Sequence, residues 1–201
     1  MDPERGPGAA VTGARAEGPD GNALPGGGGV SRLPFVKIET VATERLLLHP
    51  LTVAEGERVA AREPSPGERW GEGYPGAGDL ASVGAFLRRC AEEGDPGAFR
   101  TYQVRLAESG VVVGGIGFHG PPGADGAVTV GYGIVPGERG KGYASEALAA
   151  VVGIARGAGA AVLRGDADPA NAASHRVMER AGMRREGERD GLVRFLVELG
   201  E

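Results

Sequence analysis

The chain has 201 residues, 41% hydrophobic, 24% charged and 5% aromatic, which suits one globular domain and is short for two; its 38 glycines follow no three-residue period and exclude a fibrous fold. Twenty-seven acidic against 22 basic residues give a net charge of -5 with no dense Lys/Arg run, and no window approaches the roughly 18 apolar residues that span a bilayer, so neither nucleic acid nor membrane is an expected partner. Cys90 is the only cysteine, which excludes an internal disulfide framework and a cysteine-built zinc site; no metal is expected, and the expected compartment is the reducing cytoplasm.

From Met1 to Pro34, nine Gly and five Pro fill 14 of 34 positions without apolar periodicity, which predicts a disordered tail over 1–34 and a folded domain over 35–201. The alternation in Phe35–Val41, continued after a polar break by Leu46–Leu48, predicts a first strand with an irregularity, followed by a turn at His49–Pro50. Thr52–Ala61 predicts a short helix and Asp79–Ala91 a second, with Leu80, Val83 and Leu87 at helical spacing. A Pro/Gly-broken segment carrying Trp70 and Tyr74 lies between them. Strands are predicted at Arg100–Arg105, Val111–Phe118 and Val128–Val135, joined by turn residues that make them antiparallel neighbours. After Pro136 the period changes, since Ala144, Leu148, Val151 and Ala155 share one helical face. A strand at Ala161–Asp166, a helix at Asn171–Ala181 and a strand at Leu192–Leu199 complete the chain. A helix between the strands ending at Val135 and starting at Ala161 requires a crossover and local parallel pairing, so the fold class is α+β with a mixed sheet.

The stretch Gly131–Ala144 runs from a strand through a glycine turn directly into a helix. A helix start leaves backbone N–H groups unpartnered and carries partial positive charge, and Gly140 and Gly142 let a diphosphate approach those groups with no Cβ in the way. Arg139 and Lys141 add side-chain charge. A tight turn before a helix is the plainer reading of the same residues. Spacing excludes two rival phosphate motifs: the third position after Gly142 is Ser145, against a dinucleotide fingerprint, and Lys141 precedes Gly142 instead of Ser or Thr, against a P-loop.

Three stretches together resemble the GNAT superfamily of N-acetyltransferases, in its RimJ/RimL-like, ribosomal-protein-acetyltransferase-like branch. These are Thr43-Glu44-Arg45-Leu46-Leu47-Leu48, Gly131–Ala147, and the run Asp168-Pro169, Asn171, Ser174, Val177, Glu179, Gly182-Met183. The likeness covers roughly Ile38 to Glu198. It implies a GNAT fold with a central mixed, mostly antiparallel twisted sheet flanked by helices and with splayed fourth and fifth strands, and acetyl transfer from acetyl-CoA to an amine, from a small molecule or a protein N-terminus. Coenzyme A would lie between the strands Val128–Val135 and Ala161–Asp166, paired with the backbone of Ile134 and Val135. Its diphosphate would sit on the amides of Arg139, Gly140, Lys141, Gly142, Tyr143 and Ala144. The family pattern's first Gln or Arg is Gly137 here, which removes one side-chain contact. Dimers are common among similar proteins, so a homodimer is among the expected partners.

The chemistry is less well marked. Many members carry a Glu base where this chain has Thr129 and a Tyr proton donor where it has Met178. By resemblance, Ser174 would reach the sulfur as donor, and Asn171 would bond the pantetheine or cap its helix. His119, at a strand end, is the candidate base, since an imidazole titrates near neutrality; a solvated strand-end imidazole is the plainer reading. Trp70 and Tyr74 are candidate substrate residues through cation-π contact, or else they pin their loop to the core. Glu72 and Asp79 could attract a cation. Without a strong base, an α-amine of pKa about 7.8 would outdo a lysine of about 10.4 by around 3.5 kcal/mol, favouring low-pKa acceptors. The missing Glu and Tyr also motivate a rival reading as a catalytically weak acyl-CoA-binding or sensing module.

Overall fold

The computed structural model describes residues 39–200; the tail expected over 1–34 and the start of the expected first strand lie outside them. Of the apolar residues that opened the domain in sequence, Val41 and Leu46–Leu48 lie in a hairpin. Strand β1 (Val41–Ala42) pairs antiparallel with β2 (Leu46–Pro50), and the Thr43 hydroxyl accepts the amide of Leu46 in the turn. This corrects the single interrupted strand, because the polar break is a reversal of direction; His49 and Pro50 belong to β2 and pair with Gln103 and Tyr102.

Helix α1 (Val53–Ala61) begins at Thr52, whose hydroxyl accepts the Glu55 amide while Glu55 accepts the Thr52 amide, a reciprocal cap. Helix α2 (Ala77–Glu93) starts two residues before the sequence expectation, with the Asp79 carboxylate taking the Gly76 amide. Strands β3 (Thr101–Leu106), β4 (Val112–Phe118) and β5 (Ala127–Ile134) pair antiparallel in sequence order, as expected. A 3-10 turn at Pro136–Glu138 leads to α3 (Tyr143–Gly157), then β6 (Val162–Ala167), α4 (Ala172–Arg180), β7 (Arg184–Arg189) and β8 (Leu192–Glu198).

The sheet order is β1-β2-β3-β4-β5-β6-β8-β7, and the crossover through α3 makes β5 and β6 parallel. This is the α+β class read from the sequence, and the pair expected to diverge as fourth and fifth is β5 and β6 once β1 is counted. Helix α2 lies against β3, β4 and β5, where Ser82 and Thr101 share a hydroxyl contact of 3.1 Å. Thr101 pairs with Gly117, so the pleat turns Ile116 and its partner Tyr132 to the opposite face, toward α3 and α4. Leu46, Leu48, Tyr102, Ile116, Leu148, Leu163 and Phe195 are essentially fully buried in the core. Strand β7 was missed because all six of its residues are exposed and carry no apolar pattern; the signal that could have found it is Asp190-Gly191, both at positive φ, between it and β8.

Candidate active site

Strands β5 and β6 stay paired for three residues only, Ala127–Thr129 against Val162–Arg164. Beyond this, Val130–Ile134 keep β4 as their neighbour while Gly165–Ala167 pair with β8, so the two strands part. Helix α4 fills the far bank. It settles on β6 at Gly165, where a Cβ would come within 2.9 Å of the buried Met178 sulfur. The Tyr132 hydroxyl reaches across and donates to the Ser174 carbonyl at 3.3 Å.

Hydrogen bonding alternates along an antiparallel ladder. The Val135 amide donates to the Val113 carbonyl and the Thr129 carbonyl accepts from His119, so the odd-numbered residues between them address β4 and the amides of Tyr132 and Ile134 address the opening. This corrects one expectation. The Ile134 amide is turned toward the opening between the strands, whereas the Val135 amide is already committed to β4 and its side chain is buried.

A cavity of about 400 Å³ occupies the opening, lined by β5, the glycine turn, α3 and α4. Gly140 and Gly142 both have positive φ, at 78° and 86°, and Gly142 caps α3 without any side-chain partner. A Cβ on Gly140 would meet no atom within 4 Å, so the cradle is open. Ser145, on the first turn of α3, lines the cavity with a buried hydroxyl that has no hydrogen-bond partner among the described residues. Unpartnered helix amides, glycines at positive φ and an orphaned hydroxyl fit a diphosphate. Arg139, Tyr143 and Ala144 also line this cavity. Lys141 does not; its ammonium bonds Glu138 at 2.8 Å. Sequence reasoning missed Arg176 and Arg180, which line the cavity from α4 one helical turn apart.

The turn is held from outside. Glu146 accepts the Thr43 hydroxyl at 2.6 Å and the Arg45 amide at 2.8 Å, and pairs with the Arg45 guanidinium at 2.7 Å. Arg45 also donates to the Lys141 carbonyl. Burial would raise the Glu146 pKa, yet these donors overcome it and hold the carboxyl below its usual range.

Ser174 and Asn171 both line the cavity, and the Asn171 side chain accepts the Ser174 amide at 3.1 Å, so its capping role is the one realised within the fold. Burial pushes the Tyr132 phenol up, which keeps it protonated at neutral pH.

A second cavity of about 440 Å³ lies between α2 and the sheet, and Tyr132 and Gly133 border both. Its floor is glycine, at 115, 131 and 133. His119 is exposed at its rim, with Nε2 only 2.8 Å from where a Gly131 Cβ would stand. Asp79 lines the same cavity. Trp70 and Tyr74 line neither cavity. They contact edge to face with centroids 5.2 Å apart, Tyr74 is buried, and the backbone of Arg69 and Gly71 bonds Val112 on either side. That packing corrects the cation-π expectation, since the rings face the core. Among the described residues, no three His, Cys, Asp or Glu side chains group as metal ligands, and no helix is long and apolar enough to cross a membrane.

The family model described as an acetyltransferase (GNAT) domain matches residues 45–184. No protein of curated function matches the chain. Among solved structures, it is similar to an acetyltransferase from Agrobacterium tumefaciens, with 24% identity over 82% of this chain and 96% of that one at a TM-score of 0.58. A ribosomal-protein-S5-alanine acetyltransferase from Vibrio fischeri shares 14% identity over 81% and 97%, at 0.59. RimJ of Mycobacterium smegmatis in complex with CoA-disulfide shares 19% identity over 76% and 81%, at 0.53.

Proposed function

Because the chain belongs to the GNAT acetyltransferase family, we propose that it transfers the acetyl group of acetyl-CoA directly to a primary amine, the donor held on the α3–α4 side of β5 and the amine on its α2 side. The observation that carries this reading is the parting of β5 and β6 beside an open glycine cradle. Amides from Gly140 to Ser145 would hold the diphosphate, with the Ser145 hydroxyl and the guanidinium groups of Arg139, Arg176 and Arg180 beside it. The amides of Tyr132 and Ile134 would align the pantetheine as an added strand edge. Acetyl-CoA supplies the electrophilic thioester carbonyl and the thiolate leaving group.

Tyr132 joins Ser174 as a proton donor, in place of the tyrosine that many members carry where this chain has Met178. The Tyr132 phenol stays protonated and reaches across the opening to the Ser174 carbonyl; released from that bond it can donate to the departing sulfur, as can the Ser174 hydroxyl, which also lines the cavity. The acceptor is a small amine or a protein N-terminus, and the free thiol of Cys90 is in keeping with a reducing, cytoplasmic compartment.

Titrating the protein with CoA, and following thiol release from acetyl-CoA across an amine panel, tests the reading. Gly142→Val forces a β-branched residue into left-handed backbone at the helix cap. We expect it to weaken CoA binding at least tenfold, with unchanged far-UV dichroism. An unchanged affinity, or no CoA binding by the wild type, would remove the cradle. Binding without turnover on any amine would leave the acyl-CoA-binding module.

A further inference from the structure

The proposed transfer needs an amine that has lost its proton, and the strand position where the family carries a Glu holds Thr129. The second cavity contains a carboxylate on a different element. Resting on the acetyl-transfer reading above, we propose that Asp79, on the first turn of α2, accepts the proton of the acceptor's ammonium group.

Three observations carry the assignment. First, the two oxygens of Asp79 are used differently. Oδ2 accepts the Gly76 amide at 2.9 Å and caps α2, while among the described residues Oδ1 has no donor. Second, Oδ1 is aimed at the glycine floor. A Cβ on Gly115 would stand 2.5 Å from it, so only glycine lets the carboxylate descend to the sheet there. Third, Gly115 is the direct β4 partner of Gly133, which borders both cavities. The free oxygen therefore stands above a residue that is about one strand spacing, roughly 4.8 Å, from the strand that divides donor from acceptor. Burial also raises the Asp79 pKa, against the opposing Gly76 amide, which brings the carboxylate closer to the basicity a proton acceptor needs.

The surroundings leave this oxygen to an incoming cation. Beside the cavity, β3 presents Thr101 and Gln103 on this face, and the floor strands present glycine. The ionisable neighbours are His119 at the rim and Tyr74, whose phenol is pushed up by burial and by the negative charge of Asp79; past Tyr74, Arg105 is engaged by Glu68 at 2.8 Å. Among the described residues, no Arg or Lys lines the cavity.

The step balances as follows. The ammonium gives one proton to Asp79 Oδ1, and the freed lone pair attacks the thioester carbonyl carbon. The C–N bond forms, the C–S bond breaks, the nitrogen loses its second proton, and the thiolate leaves as a thiol carrying one. Asp79 then returns its proton to water, so one proton is released per turnover.

Asp79→Asn keeps an oxygen for the Gly76 cap and removes the base, so a purely structural role predicts no change. The probes are Ala-Ala amide, N-acetyl-lysine amide and 1,4-diaminobutane. We expect kcat/KM at pH 7 to fall at least 100-fold, with CoA affinity within twofold of wild type. The residual rate should rise about tenfold per pH unit, following the free amine. A D79N rate within threefold of wild type, with the acid limb of the pH profile retained, overturns the assignment and leaves acetyl transfer standing. A wild-type protein that binds CoA but acetylates none of the three probes overturns the amine-acetylation reading and this assignment with it.

Discussion

A methyl group distinguishes two glycines that touch each other. A Cβ on Gly114 would stand 2.1 Å from the Gly133 carbonyl oxygen, and backbone cannot swing aside; a Cβ on Gly133 would meet nothing within 4 Å. We expect Gly114→Ala to cost about 1–3 kcal/mol in urea unfolding, the range of overpacked sites. Gly133→Ala should leave stability unchanged or slightly higher, since alanine loses less backbone freedom on folding. Because its methyl enters the second cavity, where the amine is proposed to sit, it should nonetheless slow turnover of bulky amines. The glycine cradle was legible in sequence because all its parts lie in one local stretch, strand to turn to helix. Asp79 over Gly115, and Arg176 and Arg180 beside the cradle, were not. Their roles depend on which side of a sheet or helix meets which distant element. For Trp70 and Tyr74 the sequence offered two roles without deciding between them, and the packing of both rings against the core is the second of these.

Helix α3 is fixed to the β1–β2 turn by one carboxylate, and that carboxylate makes the element sensitive to acid. Glu146 has a folded-state pKa below its unfolded value of about 4.3, despite burial, because Thr43 and Arg45 donate to it. Its contribution to stability is therefore fully present above the unfolded pKa and is lost as pH falls through the folded one. Glu146→Gln should lower stability at pH 7 by about 1–3 kcal/mol, the range for a hydrogen-bonded charged group, and the difference from wild type should shrink toward pH 3. Urea titrations at the two pH values would check this. The motif Thr43-Glu44-Arg45 was legible as a family resemblance, but its task was not, since the bond joins residues 101 positions apart. Helices and interior strands were read to within one or two residues because each buries at least one face. Strand β7 buries neither, and the β1–β2 hairpin looks like one strand because both of its arms are apolar.

At the scale of the molecule, the chain sorts two chambers to opposite faces of one sheet, with Tyr132 and Gly133 common to both. The parallel pairing of β5 and β6 was deducible from a crossover helix between two strands, whereas the second chamber was not, because it exists only where glycines on adjacent strands fall into register. A partition one strand thick has a kinetic signature. With donor and amine seated as proposed, neither reactant must pass the other's seat, so either can arrive first, and no covalent relay through the protein is needed. Initial rates measured against both reactants should give intersecting double-reciprocal lines; parallel lines would point to a ping-pong enzyme. Traffic through this enzyme then resembles a counter served from both sides, where spent thiol and finished amide depart by separate doors.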